Sequence, residues 1–152
     1  MEKELTRFFD TSLNNALRNL KEDSKAKWGT MTAKQMLIHL IQSSKMMHFG
    51  NNTLLIKEEY VEKAIAFLYS DKAIKKGLVV PNDIGFNFTN NNEDIEELKA
   101  ELINSSNNML AFLIENTEFK AIHPFFGELT AVQWSIFQRK HYIHHLSQFG
   151  LL

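Results

Sequence analysis

Residues 130–150 read TAVQWSIFQRKHYIHHLSQFG. Thr130 with Gln133 three positions on forms a capping box, in which each side chain serves the other residue's backbone amide, and Gly150 supplies a stop. Successive helical residues turn by about 100°, so His141 and His145 lie within about 40° of each other. Trp134, Phe137 and Gln148 share their sector, whereas Val132, Ile136, Ile143 and Leu146 face the other way. A helix apolar on both sides is one packed among several neighbours. That predicts an all-α fold with this helix inside it.

The neighbours follow from periodicity. Leu5, Phe8, Phe9, Leu13, Ala16, Leu17 and Leu20 mark a first helix over residues 5–20. Thr32 and Gln35 form a second capping box and open a helix running to about His48, closed by Gly50. Residues 58–76 read as a further helix stopped by Gly77. Residues 93–116 form another, with Asn92 as its cap, Glu93 and Asp94 in its first turn, and Leu98, Leu102, Met109 and Phe112 facing inward. Residues 78–92 and 118–129 read as loops, the first packed on the body through Phe86 and Phe88. The expectation is four long helices, with an extra helix inside the connection between the second and fourth. Essentially no sheet is expected; 54–56 and 77–80 are the places for a stray strand.

Composition agrees. With 152 residues the chain reads as one domain, 1–152, and only 2 prolines and 6 glycines interrupt it, which favours helices. Hydrophobic residues make up 44% and charged residues 23%, ordinary globular usage. A net charge of −1 leaves no footprint for nucleic acid or an anionic membrane. No apolar run approaches the length of a bilayer span. The opening MEKELTRFFD lacks an apolar leader region, which predicts a cytoplasmic protein. There is no cysteine, so disulfides, thiolate nucleophiles and cysteine-bound zinc are excluded together, and any metal must be held by His, Asp or Glu.

The His141/His145 pair can deliver two imidazole nitrogens to one ion. His39 is the best third donor: its helix face carries Thr32, Gln35, Met36, Gln42, Ser43 and Met46, a mixed surface suited to a cleft wall, with Leu37 and Ile41 on the far side. The same spacing also arises by chance, and an inward histidine is commonly a hydrogen-bonded core residue. Helix geometry leaves both readings standing.

The segments MTAKQMLIHL (31–40) and HPFFGELTAVQWSIFQRKHYIHHLSQFG (123–150) resemble the DinB-like metal-binding four-helix bundles, in a branch of that superfamily with no assigned function. The resemblance covers both ends of the helical scaffold and leaves about 49–92 without a motif. It implies an up-down-down-up bundle with a long crossover between the second and third scaffold helices. It also implies one divalent ion, zinc or nickel, on His39, His141 and His145. Some relatives are thiol-dependent S-transferases or isomerases that use mycothiol or bacillithiol; one such group carries glutamate in place of a last-helix histidine, and this chain does not. A low-molecular-weight thiol is thus the implied small-molecule partner.

Other residues read more plainly. His144 is rotated about 100° from His145, which makes it a surface residue before an alternative ligand or proton shuttle. His123 packs a turn, and His48 sits near a helix end. Gln148 is either a donor behind His145 or an ordinary polar helix end. Glu97, Glu101, Asn104 and Asn108 form a solvated stripe. Trp134 faces the histidines and Trp28 plugs an end of the bundle. Three function classes follow: a metal-dependent enzyme, a non-catalytic metal-binding or stress-related protein, and a homodimerising helical module whose histidines fill the core.

Overall fold

The computed structural model describes residues 2–48, 53–78 and 92–152. Helix α1 covers residues 2–17, with α-helical turns at Glu2–Arg7 and Leu13–Leu17 flanking a π-helical turn at Phe8–Ser12. The wider turn lets Phe8, Phe9 and Leu13 all point inward, where Phe9 meets Tyr142 edge-on at 5.4 Å. Helix α2 is Ala33–Lys45, finished by a 3₁₀ turn at Met46–His48. A 3₁₀ turn at Glu58–Tyr60 leads into α3, Val61–Leu68. Helix α4 is Ile95–Glu115 and α5 is Ala131–Gln148.

Helix α2 lies along α4, and α5 contacts each of the other four helices. That central position matches the two apolar sides read from residues 130–150. Leu37, Leu40, Leu98, Leu102, Trp134 and Leu146 are essentially sealed from solvent in the shared core. Each such side chain contributes about 1.5–3 kcal/mol through burial. Both expected capping boxes form: Thr32 and Gln35 exchange hydrogen bonds at 3.0 and 3.1 Å, Thr130 and Gln133 at 2.9 and 3.3 Å. Among the described residues no helix is long and apolar enough to cross a membrane.

Three expectations need correction. The cap of α4 is Asp94, not Asn92: its carboxylate accepts from the Glu96 amide while Glu97 returns a bond to the Asp94 amide. The reciprocal partner three residues on fixes the register of the cap, and only Asp94 has one.

Helix α3 stops at Leu68 and does not continue to residue 76. The Ser70 amide and hydroxyl both donate to the Phe67 carbonyl, and the Ser70 hydroxyl then accepts from the Lys72 amide. Lys140 of α5 donates to the carbonyls of Ser70 and Lys72 at 2.7 and 2.6 Å, taking acceptors that a continuing helix would have used.

The segment expected as a loop before α5 is an antiparallel hairpin, β1 Lys120–His123 and β2 Gly127–Thr130, in the register Lys120 to Thr130 and His123 to Gly127. Gly127 makes its turn possible. It has φ +76°, and a Cβ there would stand 2.7 Å from Val61 Cγ1. The Ala131 amide donates to Phe119 and the Trp134 indole to Ala121, binding the hairpin to α5. Residues 54–56 form no strand. Gly50, Phe86, Phe88 and residues 79–80 lie outside the described residues.

Candidate metal centre

His39 on α2 and His141 and His145 on α5 come together, each offering a ring nitrogen within 4.8 Å of the others. His39 Nε2 lies 2.9 Å from His141 Nε2, which lies 3.1 Å from His145 Nε2. Among the described residues the cluster contains three imidazoles and no carboxylate.

The surrounding hydrogen bonds fix which nitrogens carry protons. Gln138 Nε2 donates to the Ser43 carbonyl at 2.8 Å, so its Oε1 faces the Ser43 hydroxyl as an acceptor only. The single hydroxyl proton of Ser43 goes to that Oε1 at 3.2 Å. Ser43 Oγ, 3.0 Å from His141 Nδ1, must therefore accept, and His141 is protonated at Nδ1.

A parallel chain governs His145. Gln148 Nε2 donates to the Trp28 carbonyl at 3.0 Å, leaving Oε1 to accept from His145 Nδ1 at 2.9 Å. Both imidazoles thus carry a proton on Nδ1, and their Nε2 atoms lie 3.1 Å apart. The His39, His141 and His145 nitrogens are close enough together that one cation could be shared among them.

A proton is a poor candidate at neutral pH. Burial pushes His39 from 6.5 down to about 3, with His145 and His144 adding to the effect. Burial takes His145 to about 4 against the raising effect of its bond to Gln148, and it pushes His141 well below 6.5, helped by His39 and His145. Neutral imidazoles of this kind could act as ligands to a divalent ion. The 2.9 and 3.1 Å separations about His141 fall a little short of the about 3.3 Å between neighbouring nitrogens of a tetrahedral zinc site, while the set as a whole lies within 4.8 Å. Nδ1–H bonds to neutral oxygens are also the usual supports of metal-bound histidine.

The other candidates separate cleanly. Phe137 stacks on His141 at 5.4 Å, and Trp134 stands behind it, edge to Phe137 at 5.9 Å. His144 points elsewhere, its ring 4.8 Å from Trp28 and hydrogen-bonded to the Ile74 backbone. His123 is buried at the hairpin turn: its Nδ1 accepts from the Phe125 amide at 3.1 Å, and its ring packs 4.2 Å from Phe137. Burial alone pushes it to about 3. The exposed ring of His48 meets Phe112 at 4.7 Å. Glu101 pairs with Lys45 at 3.1 Å, away from the cluster.

Sequence reasoning singled out the three histidines and left Gln148 between two roles; its bond to His145 decides for the supporting one. It missed the Ser43–Gln138 relay and the Trp28 carbonyl. Ser43 and Gln138 carried a readable signal, since each lies within one helical turn of a cluster histidine. A backbone carbonyl carries none. Comparison of the chain with protein-family models, curated proteins and solved structures returned no match.

Proposed function

We propose that the protein is a metal-dependent enzyme that holds one zinc or nickel ion on His39, His141 and His145 and acts on a low-molecular-weight thiol. The observation that carries the metal is the convergence of ring nitrogens of His39, His141 and His145 within 4.8 Å in a site that resists protonation. Three imidazoles suit zinc and nickel alike. Three protein ligands leave at least one position for an exogenous ligand, the pattern of catalytic sites. Helices α1, α2, α4 and α5 supply a scaffold compatible with the DinB-like up-down-down-up bundle, with α3 inside the crossover, in one domain.

When bound, the ion supplies Lewis-acid chemistry that keeps a coordinated thiol ionised near neutral pH. The chain's own residues do the positioning. The Ser43–Gln138 relay and Gln148 hold the two α5 imidazoles in their ligating tautomers, and Phe137, backed by Trp134, gives one wall an aromatic face against which an apolar electrophile can lie. A chain without cysteine offers no competing thiolate of its own.

Elemental analysis of purified protein tests the metal: about one equivalent of zinc or nickel is expected, in keeping with a single three-ligand site. Metal-free protein that takes up neither ion overturns the reading. Adding bacillithiol or mycothiol to cobalt-substituted protein tests the thiol, with a sulfur-to-metal charge-transfer band as the expected result. No band, together with no turnover of model electrophiles, leaves a metal-binding protein without thiol chemistry.

A further inference from the structure

The outer face of α5 borders a second space. Residues 69–76 cross over this face and enclose with it a cavity of about 390 Å³. Its size falls in the range of small-molecule sites. None of the three clustered histidines lines it; His144 does, between Trp28 and Ile143. The walls are apolar at Leu5, Leu68, Ile136 and Ile143.

The charged groups are uneven. Lys72, Lys76, Arg139 and Lys140 line the cavity against Glu4 and Asp71. Lys140 is spent on the carbonyls of Ser70 and Lys72. Among the described residues Lys72, Lys76 and Arg139 form no ion pair. Lys76 rests 5.5 Å from the Trp28 ring centre. Arg139 has its guanidinium carbon 5.9 Å from the Phe8 ring centre, and its buried Nε has no hydrogen-bond partner.

We propose that this cavity binds a small organic carboxylate with an apolar body, its carboxylate on Arg139 and its body against Leu68, Ile136 and Ile143. A neutral apolar ligand would leave Lys72, Lys76 and the Arg139 guanidinium without a counter-charge. A dianion such as a phosphate monoester would meet Glu4 and Asp71 on the same walls. A monoanion with a planar two-oxygen head fits both the guanidinium fork and the modest excess of cations. The inference is independent of the histidine cluster and stands or falls without it.

Titration calorimetry of the full chain with octanoate, and with octanol as the uncharged arm, tests the assignment. Octanoate is expected to bind at one site, with octanol about tenfold weaker or more, the scale of a lost charge-assisted hydrogen bond. Arg139→Gln should weaken octanoate by a similar factor and leave octanol unchanged, with unaltered helicity and metal content. Lys76→Gln, at an exposed position, should weaken octanoate by about threefold, as expected of a solvent-screened charge. Ile143→Trp, which fills the space, should abolish both. Equal affinity for octanoate and octanol, no binding of octanoate, or full octanoate affinity in a folded Arg139→Gln protein overturns the proposal.

Discussion

The two faces of α5 carry similar residue types to different ends. On the inner face, Phe137, His141, His145 and Gln148 succeed one another at helical spacing, and every polar atom for which a bond is described answers to a neutral partner. On the outer face, Ile136, Arg139, Lys140, Ile143 and His144 border a cavity in which cationic groups are left over. His144 and His145 are adjacent in sequence, with ring centres 5.0 Å apart, yet one packs on Trp28 and the other joins the cluster. The partners of a side chain, more than its type, decide its chemistry. Where they are neutral oxygens the imidazole is kept as a base with a directed lone pair; where they are apolar walls and leftover cations, the surface waits for an anion.

The sharpest way to break this contrast is to exchange the neighbours. His145→Ala should remove nearly all bound metal, whereas His144→Ala should keep nearly all of it, with both read by elemental analysis after dialysis. Equal losses would mean that the two faces are not chemically distinct. The supporting bonds come next. Ser43→Ala and Gln148→Leu should each weaken metal affinity by about 10–100-fold, the usual effect of removing an outer partner of a ligating histidine. Competition with a chelator of known affinity measures this. Unchanged affinity in both would remove the tautomer argument.

A pH series sharpens the inner face further. The folded values of His39, His145 and His123 lie at about 3, about 4 and about 3, against 6.5 for an unperturbed imidazole. The unfolded chain therefore binds more protons than the folded one between 6.5 and about 3. Stability of the metal-free protein should be full above 6.5 and fall steadily as pH drops through that window. Urea denaturation from pH 7.5 to 4 reads it, and a flat profile would contradict the burial of these rings. The smallest effect belongs to the outer face. Lys140→Met should cost about 1–2 kcal/mol, the net worth of its two partly exposed hydrogen bonds. It should raise hydrogen exchange in residues 69–76 and leave α5 protected.

What was legible in the sequence divides by range. The capping boxes at Thr32 and Thr130 are local, three residues wide, and they form as read. The convergence of His141 and His145 is also local, and His39 was reached through the mixed character of its own helix face. The end of α3 was not legible, because the carbonyls that would have extended it are taken by Lys140 from 68 and 70 positions away. The hairpin before α5 was partly legible: Lys120, Ala121, Ile122 and His123 include an exposed, half-buried, exposed, buried series, but Pro124 and three phenylalanines masked so short an alternation. The cap at Asp94 was misread by two residues because asparagine and aspartate cap equally well alone, and only the reply from Glu97 distinguishes them.

The span between His39 and His141 has a consequence in time. The two are 102 positions apart, and Gln148, whose Oε1 orients His145, itself donates to the Trp28 carbonyl 120 positions back. Contacts of such separation close late, because the intervening chain must surrender its freedom before they return anything. An ion held on these three residues would be captured only once residues 141–148 are made. An ion that arrives after the rate-limiting step acts on escape from the folded state more than on entry to it. Adding metal should therefore lengthen the unfolding half-life in denaturant while barely changing the refolding rate, and stopped-flow measurements on metal-free and loaded protein separate the two. In kinetic terms the three histidines, loaded with an ion, would be a latch closed on a finished structure.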